Sequence, residues 1–386
     1  MSEAKEEIEE YNGLEKVEIS LPGQAYWDPR VYENELTRVW YRNWIYVGRA
    51  SSIKDPRDFR VFEIGTQQVL ILRDEEGELR AFHNTCRHRG TILTEEKEGC
   101  FRGPLITCPY HRWAYDFKGN LQKTPTRRLQ DDFNKTDYPL YDVGVKDWNG
   151  FLFVHLAPEE AAPLEENFTD AHCLDNWSLA DLQVGHTYEK TLACNWKIFW
   201  ENFSECLHCP NIHPELSRIV PLYKQSLMEI HDDPEWQEHQ GSGNKLFKPG
   251  LTEGMESWSA DGSRCAENFP HLTPEEIENG HTYCDTLPSA FIVGHVDYVR
   301  VVRVLPLGPE KTAIHAQWLF SPETLQSNTF DPDQTIAFGE KLIQQDGAIS
   351  ELNQRGLRSI RHEQGVLMAE EYYVHAFHNW LKSHFD

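Results

Sequence analysis

Long apolar runs are absent from this chain, and so is an excess of positive charge. No segment approaches the roughly 20 consecutive apolar residues that a membrane-spanning helix needs, so we expect no membrane anchor. The formal net charge of −25 argues against binding to nucleic acid. A glycine-rich fingerprint for flavin or nicotinamide is also lacking, and we therefore do not expect the chain to draw electrons from NAD(P)H itself.

Targeting signals and paired cysteine spacings are equally scarce. Residues 1–11 are acidic and resemble neither a secretory signal nor a transit peptide, so we expect a cytoplasmic protein. Nine cysteines without a signal peptide predict a reducing compartment and few or no disulfides. Cys206 and Cys209 form a Cys-x-x-Cys, but the βαβ context of a redox motif is missing, and small packed thiols are the favoured interpretation.

Two short segments each place one cysteine close to one histidine. Cys86 and His88 form the first pair, and Cys108 and His111 form the second. Two sulfurs and two nitrogens suit either a structural zinc ion or a Rieske-type [2Fe–2S] cluster, in which two histidines replace two cysteines on one iron. Mixed zinc sites usually run Cys-Cys and then His-His, whereas here each segment supplies one of each. The order therefore predicts the cluster, with zinc as the alternative.

A second group of candidate ligands follows well beyond the first. Residues 194–209 have apolar residues at helical spacing, which predicts a helix that Pro210 ends. His208 and His213 lie near that end. On an unbroken helix they would point in different directions, so they reach one metal only if the chain breaks at the proline.

A carboxylate would complete a facial triad for non-haem Fe(II), which consists of two histidines and one acidic ligand. Residues 331–356 also have a helical pattern and contain three acidic residues as candidates: Asp346, Glu340 and Glu351. Residue chemistry alone does not separate the three. We therefore expect a mononuclear iron held by the two histidines and one of these carboxylates.

The segments around these residues resemble a known family. Cys-Arg-His-Arg-Gly at 86–90 and Cys-Pro-Tyr-His-Arg-Trp at 108–113 are similar to the two cluster loops of Rieske non-haem iron oxygenases, and the chain looks like the catalytic α subunit of this aromatic-ring-hydroxylating family. The resemblance makes Asp346 the preferred third iron ligand. It also implies a homotrimer in which electrons from NAD(P)H pass through a separate flavin- or ferredoxin-containing reductase to the cluster, and then to the iron of a neighbouring subunit.

Glu205 narrows the comparison within this family. Ring-hydroxylating members typically have Asp there, as the bridge between the cluster of one subunit and the iron of the next. The segment 205–215, Glu-Cys-x-His-Cys-x-x-x-His-Pro-Glu, is similar instead to the monooxygenases of choline, carnitine, glycine betaine and proline betaine. A carboxylate suits the bridge because it can accept hydrogen bonds from a cluster histidine and an iron-bound histidine. An ordinary polar residue is the alternative.

The resemblance implies a monooxygenase that uses O₂ to hydroxylate a quaternary ammonium compound at a carbon bonded to nitrogen, after which the C–N bond breaks. One alternative is an aromatic dioxygenase α subunit, which would form a cis-diol from an arene. Another is an electron carrier of the ferredoxin type, which would lack the iron triad.

Residues that contact the substrate are harder to place. A trimethylammonium group favours an aromatic cage. Four aromatic residues lie in or near strands that we expect to face the iron, namely Tyr283, Phe291, His295 and Tyr298. Core packing is the favoured interpretation for each of them. A betaine carboxylate would need Arg, Lys or backbone N–H donors, and the pattern identifies none.

Strand and helix patterns predict an α+β protein with two domains. Short alternating runs make residues 41–160 an all-β Rieske domain. Residues 161–386 are expected to form the catalytic iron domain, an antiparallel sheet wrapped around long helices, with residues 1–40 packed on it. Helices are predicted at 194–209, 331–356 and 366–383. Residues 230–285 show no clear pattern of secondary structure, and a lid and a subunit contact are the two interpretations of this segment.

Charge is uneven along the chain. We call the predicted Rieske domain the cluster lobe, and its residues 84–128 the cluster lobe's loops. These loops contain nine Lys or Arg against four Asp or Glu. A positive patch on a negative protein would steer an acidic electron donor toward the cluster. Charge used in subunit contacts is the alternative.

Overall fold

The structure is a computed structural model that describes residues 10–239, 241–328 and 330–385. Over these ranges it has seventeen strands: β1 Glu18–Pro22, β2 Ile45–Arg49, β3 Asp58–Ile64, β4 Gln67–Arg73, β5 Leu79–His83, β6 Glu98–Cys100, β7 Ile106–Thr107, β8 Ala114–Tyr115, β9 Leu121–Lys123, β10 Gly144–Trp148, β11 Phe151–His155, β12 Gln183–Leu192, β13 His281–Thr286, β14 Ala290–His295, β15 Val299–Gly308, β16 Lys311–Phe320 and β17 Gln364–Leu367. The ten α-helices in the same ranges are α1 Pro29–Arg38, α2 Trp196–Phe203, α3 Cys209–Ile212, α4 Leu216–Ile219, α5 Pro221–Lys224, α6 Trp236–His239, α7 Pro274–Asn279, α8 Pro322–Gln326, α9 Asp333–Gly356 and α10 Tyr372–Ser383.

The cluster lobe, residues 41–160, is built from strands and short 3-10 helices and contains no α-helix. Its sheets have the orders β5-β4-β3-β6, β7-β8-β9 and β10-β11-β2, and every pairing in them is antiparallel. The second Cys-His segment lies in the loop between the short strands β7 and β8, and the first lies in the loop that follows β5. The predicted all-β lobe is therefore confirmed.

The catalytic lobe has a five-stranded antiparallel sheet with the order β12-β16-β15-β14-β13. Side chains alternate between its two faces. One face carries Phe291, Val293 and Val302, which belong to the same buried cluster as Phe199 and Trp200 of α2. Helix α9 contacts both α2 and β12. An antiparallel sheet beside long helices is the architecture that the sequence predicted.

The opposite face of this sheet packs against the cluster lobe. Val299 and Val301 of β15 share a buried cluster with Tyr46, Phe151 and Phe153 of β2 and β11. Backbone contacts reinforce the packing, because the N–H of Tyr46 donates to the hydroxyl of Ser289 at 2.9 Å. The two lobes thus share one hydrophobic core.

The N-terminal segment contacts the catalytic lobe. β1 pairs antiparallel with β17. On α1, Glu35 accepts hydrogen bonds from Lys197 Nζ at 2.6 Å and from Trp196 Nε1 at 2.8 Å, and both of these belong to α2. The boundaries 1–40, 41–160 and 161–386 themselves stay predictions.

Three predicted elements differ from the structure. The helix expected at 194–209 ends at Phe203, and Pro210 lies in the first turn of α3 instead of ending a helix. The helix expected at 366–383 begins at Tyr372, because the chain before it forms β17 and pairs with β1. Residues 230–285, which had no clear pattern, include α7 and most of β13. Among the described residues, no helix combines the length and the apolar character needed to cross a bilayer.

Candidate metal centres and active site

Three of the predicted ligands converge beside the catalytic sheet. Asp346 Oδ1 lies 2.7 Å from His213 Nε2 and 3.6 Å from His208 Nε2. The ligand atoms of these three residues all lie within 4.8 Å of one another, which makes them a group that could hold one metal ion. His208 lies just before α3, His213 just after it, and Asp346 in the middle of α9. Two histidines and one carboxylate are the donor set of a facial iron triad.

Helix α2 ends earlier than predicted, and the chain that follows it brings the two histidines together. Ser204 ends α2, and its Oγ donates to the carbonyl of Trp200 at 2.8 Å. Glu205 Oε2 then accepts a hydrogen bond from the N–H of His208 at 3.3 Å. A proline is tolerated in the first helical turn, where its missing N–H would have no partner, so Pro210 fits as the second residue of α3.

Cys206 and Cys209 form a disulfide across this turn, with Cα atoms 4.9 Å apart. The interpretation of both as packed thiols is therefore wrong. A Cα separation of 4.9 Å is within the range that a disulfide spans. His208 lies inside the four-residue loop that the bond closes.

The two rival carboxylates lie elsewhere. Glu340 Oε1 is 2.7 Å from His186 Nε2. Glu351 Oε1 accepts a hydrogen bond from the N–H of Ala193 at 2.8 Å. Of the three candidate carboxylates on α9, only Asp346 faces the two histidines within the part of the chain that the structure describes.

The outer nitrogen of each triad histidine has its own partner. Glu205 Oε1 lies 2.6 Å from His208 Nδ1, and Gln345 Oε1 lies 2.8 Å from His213 Nδ1. Such partners fix the orientation of the ring and leave Nε2 for a metal. Sequence reasoning missed Gln345, although its position next to Asp346 on α9 is a usable signal.

Electrostatics in the triad favour charged side chains in the absence of a metal. Burial by itself lowers the pKa of His208, but Asp346 and Glu205 outweigh burial and raise this pKa to about 9. Burial raises the pKa of Asp346, but its hydrogen bonds to the two histidines outweigh burial and hold it below its usual value. A carboxylate held ionised beside two histidines is also the donor set that Fe(II) would use.

A cavity of about 100 Å³ opens directly onto the triad. Its wall includes the side chains of six aromatic residues, which are Phe199, Phe203, Tyr223, Trp258, Tyr283 and Phe291. Tyr283 and Phe291 thus reach the cavity. His295 and Tyr298 do not line it, and their rings stack on each other at 4.2 Å. One basic residue, Arg300, also belongs to the wall.

A larger cavity of about 870 Å³ adjoins the first and shares Phe203 and Tyr283 with it. Four acidic residues line it, namely Asp170, Glu229, Glu275 and Asp285. Burial raises the pKa of Asp285 to about 7. Of the four acidic residues in this outer cavity, Asp170 and Glu275 therefore offer the negative charge to a cation that approaches the triad.

The second candidate metal site lies in the cluster lobe. Cys86 and Cys108 are buried, whereas His88 is exposed and its ring centre lies 4.7 Å from that of His111. Tyr115 Oη lies 3.3 Å from Cys86 Sγ. Two sulfurs on the inside and two imidazoles on the outside are the donors that a Rieske cluster needs on its two separate irons.

The positions of these four residues can also be compared with those that a structural zinc ion requires. A single tetrahedral ion needs all four donors around one point. Among the described residues, the group whose ligand atoms converge within 4.8 Å is the triad, and the four residues of the cluster lobe do not form such a group. Trp113 stacks on His88 with ring centres 4.9 Å apart and shields one side of the site.

Comparison with known families covers both lobes. Residues 179–386 match the family described as ring hydroxylating alpha subunit (catalytic domain), and residues 43–134 match the Rieske [2Fe-2S] domain. The chain is 29% identical over 366 residues to the glycine betaine monooxygenase oxygenase subunit of Chromohalobacter salexigens, which covers 90% of this chain and 81% of the relative. It is 25% identical over 374 residues to the chloroplastic choline monooxygenase of Spinacia oleracea, with coverage of 94% and 77%.

Solved structures share the fold. The quaternary ammonium Rieske monooxygenase CntA in complex with L-carnitine has a TM-score of 0.68 and 21% identity, over 95% of this chain and 96% of that chain. Naphthalene 1,2-dioxygenase from Rhodococcus sp. bound to indole has a TM-score of 0.71 and 20% identity, over 95% of this chain and 94% of that chain. Enzymes with different substrates thus have this architecture, and the substrate has to be argued from the site.

Proposed function

Because this chain belongs to the family of ring-hydroxylating α subunits and carries a Rieske [2Fe–2S] domain, we propose that it is the oxygenase component of a monooxygenase for quaternary ammonium compounds. The observation that carries the proposal is the aromatic cavity that opens onto His208, His213 and Asp346. Aromatic faces attract a trimethylammonium group, by about 2 kcal/mol or more in a desolvated site. The names of the relatives, glycine betaine and choline monooxygenases, support the same substrate class.

The side chains have separate tasks in this proposal. Iron held by the triad would supply the activation of O₂, and the cluster held by Cys86, His88, Cys108 and His111 would supply the electrons. Glu205 holds the Nδ1 side of His208 at 2.6 Å, and Gln345 does the same for His213 at 2.8 Å. The aromatic wall excludes water and holds the N-methyl groups toward the triad. Hydroxylation of a carbon bonded to nitrogen gives a hemiaminal, which collapses with loss of the C–N bond.

The same proposal covers electron supply and assembly. We propose that Glu205 links the triad of one subunit to the cluster of its neighbour within a homotrimer. Its side chain is 13% exposed and has two hydrogen bonds to His208, and its remaining lone pairs could accept a further bond from outside the chain. Electrons would come from NAD(P)H through a separate reductase, which the basic residues of the cluster lobe's loops would attract. The domain limits 41–160 and 161–386 and a cytoplasmic location belong to the proposal as well.

Turnover of a substrate panel tests the proposed function. The purified protein would be incubated under air with a generic reductase and NADH, and with glycine betaine, carnitine, γ-butyrobetaine, choline or naphthalene. We expect NADH consumption that depends on a quaternary ammonium compound, together with formaldehyde or another product of C–N cleavage. Mass spectrometry identifies the products.

The matched control is His213→Ala, which removes one triad ligand and leaves the cluster lobe unchanged. It should retain the cluster absorbance and lose turnover. A cis-diol from naphthalene without any product from the quaternary ammonium compounds would replace the proposal by an aromatic dioxygenase. Full activity of His213→Ala in electron transfer would support an electron carrier instead.

A further inference from the structure

Arg300 is the unusual side chain of the inner cavity. It is 6% exposed, and its Nε is enclosed without a hydrogen-bond partner. No ion pair among the described residues includes it. Burial of a guanidinium without a counter-charge is costly, so such a group is expected to have an anionic partner when the site is filled.

The sheet directs Arg300 toward the substrate. In β15 alternate residues share a face, and Arg300 therefore lies on the same side as Val302, which also lines the inner cavity. Arg300 pairs in register with Val293 of β14, another wall residue. On the helix side, a Cβ at Gly339 of α9 would lie 2.7 Å from Trp318 Cζ2 and 3.2 Å from Arg300 Nη1, so the glycine leaves room for both side chains.

The groups that face Arg300 do not neutralise it. Burial, together with the Arg300 charge, lowers the pKa of His281 to about 4, so this histidine is neutral. The pKa of His295 is lowered for the same two reasons. Tyr223 and Tyr298 are also neutral, since burial raises the pKa of both hydroxyls. The one nearby carboxylate, Asp346, is hydrogen-bonded to His213 and belongs to the triad.

We propose that Arg300 binds the carboxylate of a zwitterionic substrate, so that the enzyme selects betaines over quaternary amines without a carboxylate, such as choline. This inference rests on the proposed function and names the substrate class of the same site. A guanidinium binds a carboxylate with two parallel hydrogen bonds, which fixes the position and the orientation of the ligand.

The two ends of such a substrate find opposite surroundings. The carboxylate meets Arg300, and the trimethylammonium group meets the aromatic wall that includes Phe203, Tyr223 and Tyr283. The acidic outer cavity attracts the cationic end during approach. A cation without a carboxylate gains the aromatic contacts but leaves Arg300 unpaired, and it is therefore the weaker ligand.

The test compares two ligands that differ only in this charge, glycine betaine and its carboxamide. Dissociation constants would be measured by calorimetry on the protein with both metal centres, and kcat and KM would be measured with reductase and NADH. We expect the wild type to prefer glycine betaine. Arg300→Gln should weaken its binding by about 10- to 150-fold, the loss expected for hydrogen bonds to a charged group, and should leave carboxamide binding almost unchanged. Arg300→Lys should restore part of the preference.

Arg303→Gln is the matched control. Arg303 is on the same strand but on the opposite face, where its Nη1 donates to the carbonyl of Val47 at 2.9 Å. Its replacement should leave the ratio of the two dissociation constants unchanged. An equal loss of both ligands in Arg300→Gln, or no loss of either, would overturn the role of Arg300 while wild-type turnover of betaine still upholds the proposed function. A wild type that turns over no quaternary ammonium compound would end both proposals.

Discussion

The buried ion pair between Lys197 and Glu35 permits a quantitative prediction about stability. Lys197 Nζ lies 2.6 Å from Glu35 Oε1, and their side chains are 0% and 2% exposed. Glu35 Oε2 also accepts a hydrogen bond from Trp196 Nε1 at 2.8 Å. The pair joins α1 to α2, the helix that leads directly to Glu205 and His208. Lys197→Met keeps the length of the side chain and removes its charge.

The size of the effect follows from the charge left behind. Without Lys197, the carboxylate of Glu35 is buried with only the indole N–H as a partner. Removal of one member of a buried ion pair costs about 3–5 kcal/mol. That is a large part of the about 5–15 kcal/mol that stabilises a typical domain. In the double variant Glu35→Gln with Lys197→Met no charge is buried, and the Gln oxygen still accepts from Trp196, so most of the loss should be recovered.

Urea unfolding followed by tryptophan fluorescence measures these differences. Lys248→Met, which removes an exposed ion pair with Glu278 at 3.2 Å, is the control and should have little effect. If Lys197→Met unfolds within about 1 kcal/mol of the wild type, or if the double variant is as unstable as the single one, the reasoning about the buried charge is refuted.

Three further predictions concern the site. Asp346→Asn should lose iron in metal analysis and keep its cluster absorbance, whereas Glu351→Gln should keep both, and equal iron loss would contradict the assignment of the triad. Glu205→Gln should keep both metals but slow substrate-dependent reoxidation of the reduced cluster by about 10- to 100-fold in stopped-flow measurements, and an unchanged rate would exclude the bridge. Burial raises the pKa of Asp285 from 3.8 to about 7, so the wild type should lose stability as the pH rises between these values. Asp285→Asn should therefore gain about 1–3 kcal/mol relative to the wild type between pH 5 and pH 8 in urea unfolding, and identical pH profiles would contradict this.

The candidate ligand residues could be proposed from the sequence because their spacing is short and chemically specific. Two Cys-His pairs and a histidine pair followed by a carboxylate leave few alternatives. The path of the chain between these residues was harder to predict. The end of α2 is accompanied by a hydrogen bond that Ser204 donates, by one that Glu205 accepts and by a disulfide, and none of these has a periodic signal. Apolar residues on the helical stripe continue past Phe203, so periodicity alone extended the helix too far.

The role proposed for Arg300 shows a second limit of sequence reasoning. The segment Val-Arg-Val-Val-Arg-Val at 299–304 predicts a strand with its two arginines on opposite faces, but the sequence does not indicate which face is toward the cavity. Only the register with β14 and the position of α9 decide which of them reaches the cavity. An isolated arginine in a row of valines on a core strand is the signal that could have drawn attention to it. β13 was missed for a related reason, because its polar sequence becomes a strand by pairing with β14.

The five-stranded sheet affects how electrons can move through this protein. One face of the sheet packs against the cluster lobe, where Val299 and Val301 contact the same buried cluster as Tyr46 and Phe153. The opposite face forms part of the cavity wall. A wall with close-packed side chains on both sides cannot act as a hinge without opening the core. The separation between the Cys-His loops and the triad is therefore fixed within one chain. In the proposed homotrimer, contacts between neighbouring chains would offer the electron a separate path.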